Sequence, residues 1–158
     1  MIKIVGICLL LFALICFIRH LCAKERARGE VGGELYDFFT FLRRQVGCYL
    51  LPLSDVAAQY SSLHLEECGF LTAVRSGGEV KPTLHAALGK DNKCADIACR
   101  TLSSFGEGYL EDEMRALDSA LSELSSAAAE LEAECKRRIK LYSVIGAALG
   151  VGALILFI

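Results

Sequence analysis

Two long apolar segments, one at each end, limit what this chain can fold into more than any other feature. Residues 1–23 contain 19 hydrophobic residues, and residues 141–158 contain 14. About 20 apolar residues in a helix span the hydrocarbon core of a bilayer. We therefore expect an N-terminal transmembrane helix over 1–23, a C-terminal one over 141–158, and a separately folded region between them.

Basic residues flank both apolar segments on their inner sides. They are Arg19, Lys24, Arg26, Arg28, Lys136, Arg137, Arg138 and Lys140. Because cytoplasmic flanks of membrane helices are enriched in Lys and Arg, this pattern places the middle of the chain in the cytoplasm. A cleaved signal peptide is the alternative for residues 1–23. It is disfavoured because Lys3 is the only cation of the n-region and no small-x-small cleavage site follows the apolar run.

The middle of the chain is acidic and rich in cysteine. From Gly29 to Cys135 there are 8 Lys and Arg against 18 Asp and Glu, a balance of −10. Nucleic-acid binding needs clustered cations, so this balance argues against a nucleic-acid partner and favours a partner with a basic face. The chain has 8 cysteines and no C-x-x-C pair, so we expect small buried hydrophobes in a reducing compartment.

Helical periodicity extends through the whole middle, and strand patterns are absent. Gly29, Gly32 and Gly33 predict a flexible joint after the first apolar segment. The helices that we predict cover about 34–50, 54–62, 65–75, a short stretch after Pro82, 93–105, and a long stretch from 111 into the second apolar segment. The expected fold is all-α: a cytoplasmic six-helix antiparallel bundle over 29–136 between two transmembrane helices.

The long last helix carries a heptad seam. Its apolar residues recur at alternating spacings of three and four, which is typical of bundle packing. The seam includes Met114, Leu117, Leu121, Leu124 and Leu131. We expect it to be buried against the first and fifth predicted helices.

Small residues recur in the second apolar segment. Gly146 and Gly150 form a G-x-x-x-G motif, and Gly152 follows two positions later. Such spacing favours close contact between membrane helices, and the first apolar segment is one candidate partner. The alternative is that glycine is simply frequent in membrane helices.

The sequence lacks motifs typical of enzymes. No nucleophile or Gly-rich phosphate-binding motif accompanies the three histidines His20, His64 and His85. His64 and Cys68 lie one helical turn apart, but two ligands do not make a zinc site. We interpret that pair as a surface histidine beside a buried cysteine. The sequence thus predicts a non-enzymatic protein without catalytic residues, cofactor or metal.

Three stretches together form a family pattern. They are KRRIKLYSVIGAALGVGALILFI at 136–158, Pro52-Leu53 with Asp55, and Phe105-Gly106. They are similar to the basic cluster with its Gly-containing apolar tail, the Pro-Leu-x-acid turn and the Phe-Gly pair of the stage III sporulation protein AB family of endospore-forming bacteria. The chain departs from that family in having no Trp and in placing Tyr109-Leu110 before the long helix.

The resemblance implies a non-enzymatic component of the channel complex between mother cell and forespore. Members of the stage III sporulation protein AB family are similar in fold to the cytoplasmic domains of type II secretion and type IV pilus inner-membrane platform proteins. Those domains are six-helix bundles. It implies a place in the outer forespore membrane, on the mother-cell side. A cytoplasmic ATPase, by analogy stage III sporulation protein AA, is the implied partner, and a second copy of the chain is a further candidate.

The expected partner contact is the turn of Pro52, Leu53 and Asp55, since it presents an apolar residue beside an acid. The alternative is that Leu53 fills the end of the bundle and Asp55 is an ordinary first-turn acid of a helix. The alternative function is a doubly membrane-anchored helical scaffold or receptor outside sporulation.

Overall fold

The computed structural model describes residues 2–49, 52–106 and 108–157, and these residues form seven α-helices and no strand. The helices are α1 Ile2–Tyr49, α2 Leu53–Gln59, α3 Leu63–Glu67, α4 Phe70–Ser76, α5 Lys81–Leu88, α6 Lys93–Ser103 and α7 Leu110–Phe157. The prediction of an all-α fold is confirmed.

The predicted count of six bundle helices is wrong for the described residues. The stretch 65–75 was expected to be one helix, but α3 ends at Glu67 and α4 begins at Phe70. Gly69 lies between them with a φ of 79°, a left-handed conformation that glycine adopts without a Cβ clash. This single residue turns the chain and divides the expected helix in two.

The chain forms two compact units. The first combines Met1–Ala27 with Ala133–Ile158, and the second is Arg28–Glu132. The two 48-residue helices α1 and α7 each contribute residues to both units.

The core of the second unit is built on one stripe of α1. Apolar residues at spacings of three and four from Leu35 to Tyr49 predict one buried stripe on this helix. The prediction is confirmed from position 35 to 46, and the side chain of Tyr49 is not among the described ones. The buried members of the stripe are Leu35, Phe38, Phe39, Leu42 and Val46. The ring of Phe38 makes edge contacts with Phe39, Tyr60 and Phe70, at centroid distances of 5.8, 5.3 and 5.3 Å. These contacts join α1 to the short helices that follow it.

The predicted glycine joint is wrong, because α1 remains helical through Gly29, Gly32 and Gly33. A Cβ on Gly32 would lie 2.8 Å from Leu131 Cδ2, so the missing side chain lets Leu131 of α7 pack directly against α1. Glycine in a helix costs about 1 kcal/mol relative to alanine. Burial of Leu131, which is 3% exposed, offsets that cost.

Candidate functional site

The two apolar ends of the chain meet within the first unit. Gly146 is buried, and a Cβ placed on it would lie 3.1 Å from Ile18 Cγ1 and closer still to Cδ1. The absent side chain therefore allows α7 to approach α1 at this level. A Cβ on Gly150 or Gly152 would meet no described atom outside its own helix backbone within 4 Å. The glycine motif thus contains one close contact and two open positions.

Most large apolar side chains of the first unit are exposed. Phe12, Phe17, Val144, Leu149 and Ile155 each leave more than half of their surface uncovered. Contiguous apolar surface of this kind marks a region that a protein or a membrane covers. In the described part of the chain, no helical segment combines the length and the hydrophobicity that a membrane span requires.

The turn between α1 and α2 presents the predicted contact residues at the surface. The Pro52 carbonyl accepts hydrogen bonds from the amides of Asp55 and Val56, at 3.0 and 3.2 Å, and so begins α2. Pro52 and Asp55 are exposed, and Asp55 lies in the first helical turn. Leu53 is half-buried at the wall of a cleft of about 600 Å³.

That cleft combines an apolar wall with charges of both signs. Its lining includes Val74, Val80, Leu102, Lys81 and Asp96. Leu53 therefore sits at the border of a surface depression, and Asp55 lies exposed two residues away. This placement fits a partner contact and also fits a leucine that fills the end of the bundle.

The bundle-facing side of α7 is rotated slightly from the predicted seam. Leu117, Leu124 and Leu131 are buried, whereas Met114 and Leu121 are half-buried. Ala120 and Ala127 are buried as well, at 3% and 5% exposure. The innermost line of α7 therefore follows 117, 120, 124, 127 and 131, and Leu121 lies at its edge.

A polar cluster that the sequence did not indicate joins α1 to the start of α3. The Glu34 Oε2 atom accepts hydrogen bonds from the backbone amides of His64 and Leu65, at 3.0 and 3.2 Å, and one from the Ser62 hydroxyl. Glu34 thus supplies the N-terminal cap that α3 lacks locally, since no side chain at the Ser62 cap position does so. This long-range cap fixes α3 on α1.

The imidazole of His64 bridges two carboxylates of α1. Its Nδ1 lies 2.8 Å from Glu34 Oε1, and its Nε2 lies 3.0 Å from Glu30 Oε2. The hydrogen bond with Glu34 raises the pKa of His64 against the opposing effect of burial, and the charges of Glu34, Glu30 and Glu67 add to the rise. Partial burial opposes ionisation of Glu34, but hydrogen bonds from Ser62, His64 and Leu65 outweigh it and lower the pKa of Glu34.

His64 is therefore engaged with carboxylates rather than with the cysteine one turn away. Cys68 is half-buried, and its thiol lies 3.5 Å from the Leu65 carbonyl oxygen. In the described part of the chain, no group of three or more His, Cys, Asp or Glu side chains could hold a metal ion. The arrangement is that of a structural clasp between two helices.

The cysteines of the bundle differ in burial. Cys94 is 1% exposed, and desolvation raises the pKa of its thiol to about 11. Cys68 and Cys99 are half-buried, and burial raises the pKa of both. High thiol pKa values mean little thiolate and low reactivity at neutral pH. The side chains of Cys8 and Cys48 lie outside those that the structure describes.

No protein-family model matches the chain, and neither a curated protein nor a solved structure matches it significantly.

Proposed function

We propose that the chain is a non-enzymatic, doubly membrane-anchored platform of the mother cell–forespore channel complex in endospore formation, which engages a cytoplasmic secretion-type ATPase. The observation that carries the proposal is the first unit, in which two apolar helix ends pack at Gly146 and Ile18 while most of their other large apolar side chains stay exposed. The membrane assignment rests on the full sequence of both ends, which includes residues outside the described ones.

The charge distribution supports a membrane-bound location with the bundle on the cytoplasmic side. Arg138 of α7 donates hydrogen bonds to Glu134, at 2.6 Å from Nη2, and lies 3.7 Å from Glu25 of α1. Six further flanking cations are exposed on the two helices, namely Arg19, Lys24, Arg26, Lys136, Arg137 and Lys140. A basic band beside an apolar surface is the arrangement that anionic headgroups favour.

Sidedness can be tested by labelling with a membrane-impermeant maleimide. The native bundle cysteines are unsuitable reporters, because Cys94 is buried and Cys68 and Cys99 are half-buried. Ser125→Cys places a thiol on the exposed face of α7. We expect no gain of label over the parent chain in intact cells and a clear gain after permeabilisation. Efficient labelling before permeabilisation would contradict a cytoplasmic bundle.

The ATPase contact can be tested by pull-down of the secretion-type ATPase on the full chain. Asp55→Lys reverses one exposed charge beside Leu53, and Asp91→Lys makes the same change in the exposed turn before α6. If the turn is the contact, the first variant loses binding at moderate salt and the second keeps it. Equal binding by both variants would place the interface elsewhere. Failure of the unmodified chain to bind would favour the alternative of a scaffold outside sporulation.

A further inference from the structure

An apolar groove runs along the first unit beside the Gly146–Ile18 contact. It has a volume of about 330 Å³ and is lined by Leu11, Leu14 and Ile15 of α1 and by Ala147 and Gly150 of α7. Among the described residues the groove is open at Gly150, since a Cβ there would meet no side chain of theirs within 4 Å. The packing of the two helices therefore leaves part of their shared surface uncovered.

One end of this groove is marked by Arg19, which is exposed. Arg19 makes no hydrogen bond or ion pair within the described part of the chain. Leu11 and Arg19 are eight residues apart, so the groove extends about 12 Å along the axis of α1 between these two residues. The groove is therefore positively charged at one end and apolar along the rest of its length.

Two more cations continue the same faces of the helices beyond Arg19. Arg26 follows Arg19 by seven residues, and Lys140 precedes Ala147 by seven, which is two helical turns in each case. Both are exposed, and neither has an ion pair among the described residues. Beyond the apolar groove, the helices therefore present Arg19 at its end and two more exposed cations two turns further along the same faces.

We propose that this groove binds a phospholipid with an anionic headgroup, with one acyl chain along Leu11, Ile15 and Gly150 and the phosphate at Arg19. An apolar helix of another protein would cover the groove but would leave the cations without a counter-charge, whereas an anionic lipid satisfies both. This inference rests on the proposed function, because it needs the first unit to lie in a membrane.

The test uses the full chain in detergent micelles and native mass spectrometry with dioleoylphosphatidylglycerol or dioleoylphosphatidylcholine. We expect phosphatidylglycerol to bind preferentially. Arg19→Gln should weaken its binding roughly fivefold, the effect of one basic residue near an anionic surface. Lys24→Gln removes the same charge five residues further on, on another face of α1, and should leave binding unchanged.

A second pair of variants tests the groove without changing charge. Gly150→Leu fills the groove and should abolish selective lipid binding, whereas Gly152→Leu, at the other open glycine, should keep it. Equal loss on Arg19→Gln and Lys24→Gln, or retained binding on Gly150→Leu, would overturn the proposal. Conversion of a dimer to a monomer by Gly150→Leu would overturn it also, because a second copy would then be the occupant.

Vesicle flotation separates this inference from the function on which it rests. A chain that floats with neutral and anionic vesicles alike, without selective binding in the mass spectrum, overturns the lipid site and leaves membrane anchoring in place. A chain that floats with neither vesicle overturns both. Flotation together with selective, groove-dependent binding supports both.

Discussion

The two halves of α7 place the same residue types in opposite environments. Leu117 and Leu124 are 0% exposed in the second unit, whereas Leu141, Val144 and Leu149 are 54–60% exposed in the first. Both stretches belong to one helix, so the secondary structure is the same and only the surroundings of the side chains differ.

The difference follows from how the apolar residues are distributed around the helix. In the second unit they form one stripe among polar residues, and packing of that stripe buries Leu117, Leu124 and Leu131 and half-buries Leu121. In the first unit they surround the helix, so one packed stripe at Gly146 leaves the other faces uncovered. Periodicity, more than hydrophobicity itself, therefore indicates which residues a water-facing fold buries.

The largest effect that we predict tests this comparison within α1. Phe38→Ala should lower the free energy of unfolding by about 3–5 kcal/mol, because a fully buried ring with three aromatic neighbours is lost. Phe17→Ala is the matched control, since Phe17 is 61% exposed. Denaturation of the full chain in detergent measures both. Equal destabilisation by the two variants would mean that the first unit also has a packed core around Phe17.

A second prediction tests which residues of α7 form the buried line. Leu124→Ala should cost about 2–5 kcal/mol of stability, as expected for a fully buried leucine. Leu121→Ala should cost clearly less, because Leu121 is half-buried and keeps part of its surface in solvent. The same denaturation experiment compares them. A larger loss at Leu121 would restore the heptad seam as predicted from the sequence.

The close contact of the two apolar ends gives a third prediction. Gly146→Leu forces Ile18 away and should destabilise the first unit by about 1–3 kcal/mol, the usual cost of overpacking. Gly152→Leu introduces the same side chain where no described side chain lies within 4 Å of the new Cβ, and it should be tolerated. Calorimetry in detergent measures the difference. If Gly152→Leu were equally harmful, the glycine contact would not be specific to position 146.

The smallest effect concerns pH and the clasp between His64 and Glu34. The raised pKa of His64 gives stability that is complete below its ordinary value of 6.5 and is lost as the pH rises through the raised value. The lowered pKa of Glu34 gives stability that is complete above 4.5 and is lost as the pH falls through the lowered value. The clasp therefore contributes most between pH 4.5 and 6.5.

This pH dependence can be isolated with one substitution. Unfolding free energies measured inside this window and well above it should differ for the unmodified chain, and His64→Gln should remove that difference. Glu30→Gln should reduce it less, because Glu30 contributes to the raised pKa of His64 through charge alone. A His64→Gln variant with an unchanged pH profile would show that the clasp has no role in stability.

The sequence predicted those features that depend on local pattern. The α1 stripe was predicted correctly because large apolar residues at a spacing of three and four leave one choice of face. The buried line of α7 differs from the predicted heptad seam because Ala120 and Ala127 are buried. Alanine fits a buried or an exposed helix position equally well, so the sequence did not indicate their burial. The glycine joint was wrong because helix formation at Gly32 depends on Leu131, which is about 100 residues away in sequence.

The polar clasp between Glu34 and His64 was not predicted from the sequence. Glu34 and His64 are 30 residues apart, and neither has a local pattern that indicates the other. Ser62 before α3 gave no signal either, because serine is a favoured N-cap residue and only the structure shows that it makes no side-chain cap bond there. Gly69 could be recognised as a glycine within an expected helix, but its positive φ became visible only in the structure.

The central claim, that α7 passes from a water-facing bundle into lipid, can be tested with single tryptophans. The chain has no Trp, so each introduced residue is the only one. In vesicles, Leu149→Trp should be quenched by brominated phosphatidylcholine and protected from iodide, while Ser125→Trp should show the reverse. Iodide quenching of Leu149→Trp without any effect of brominated lipid would contradict the account.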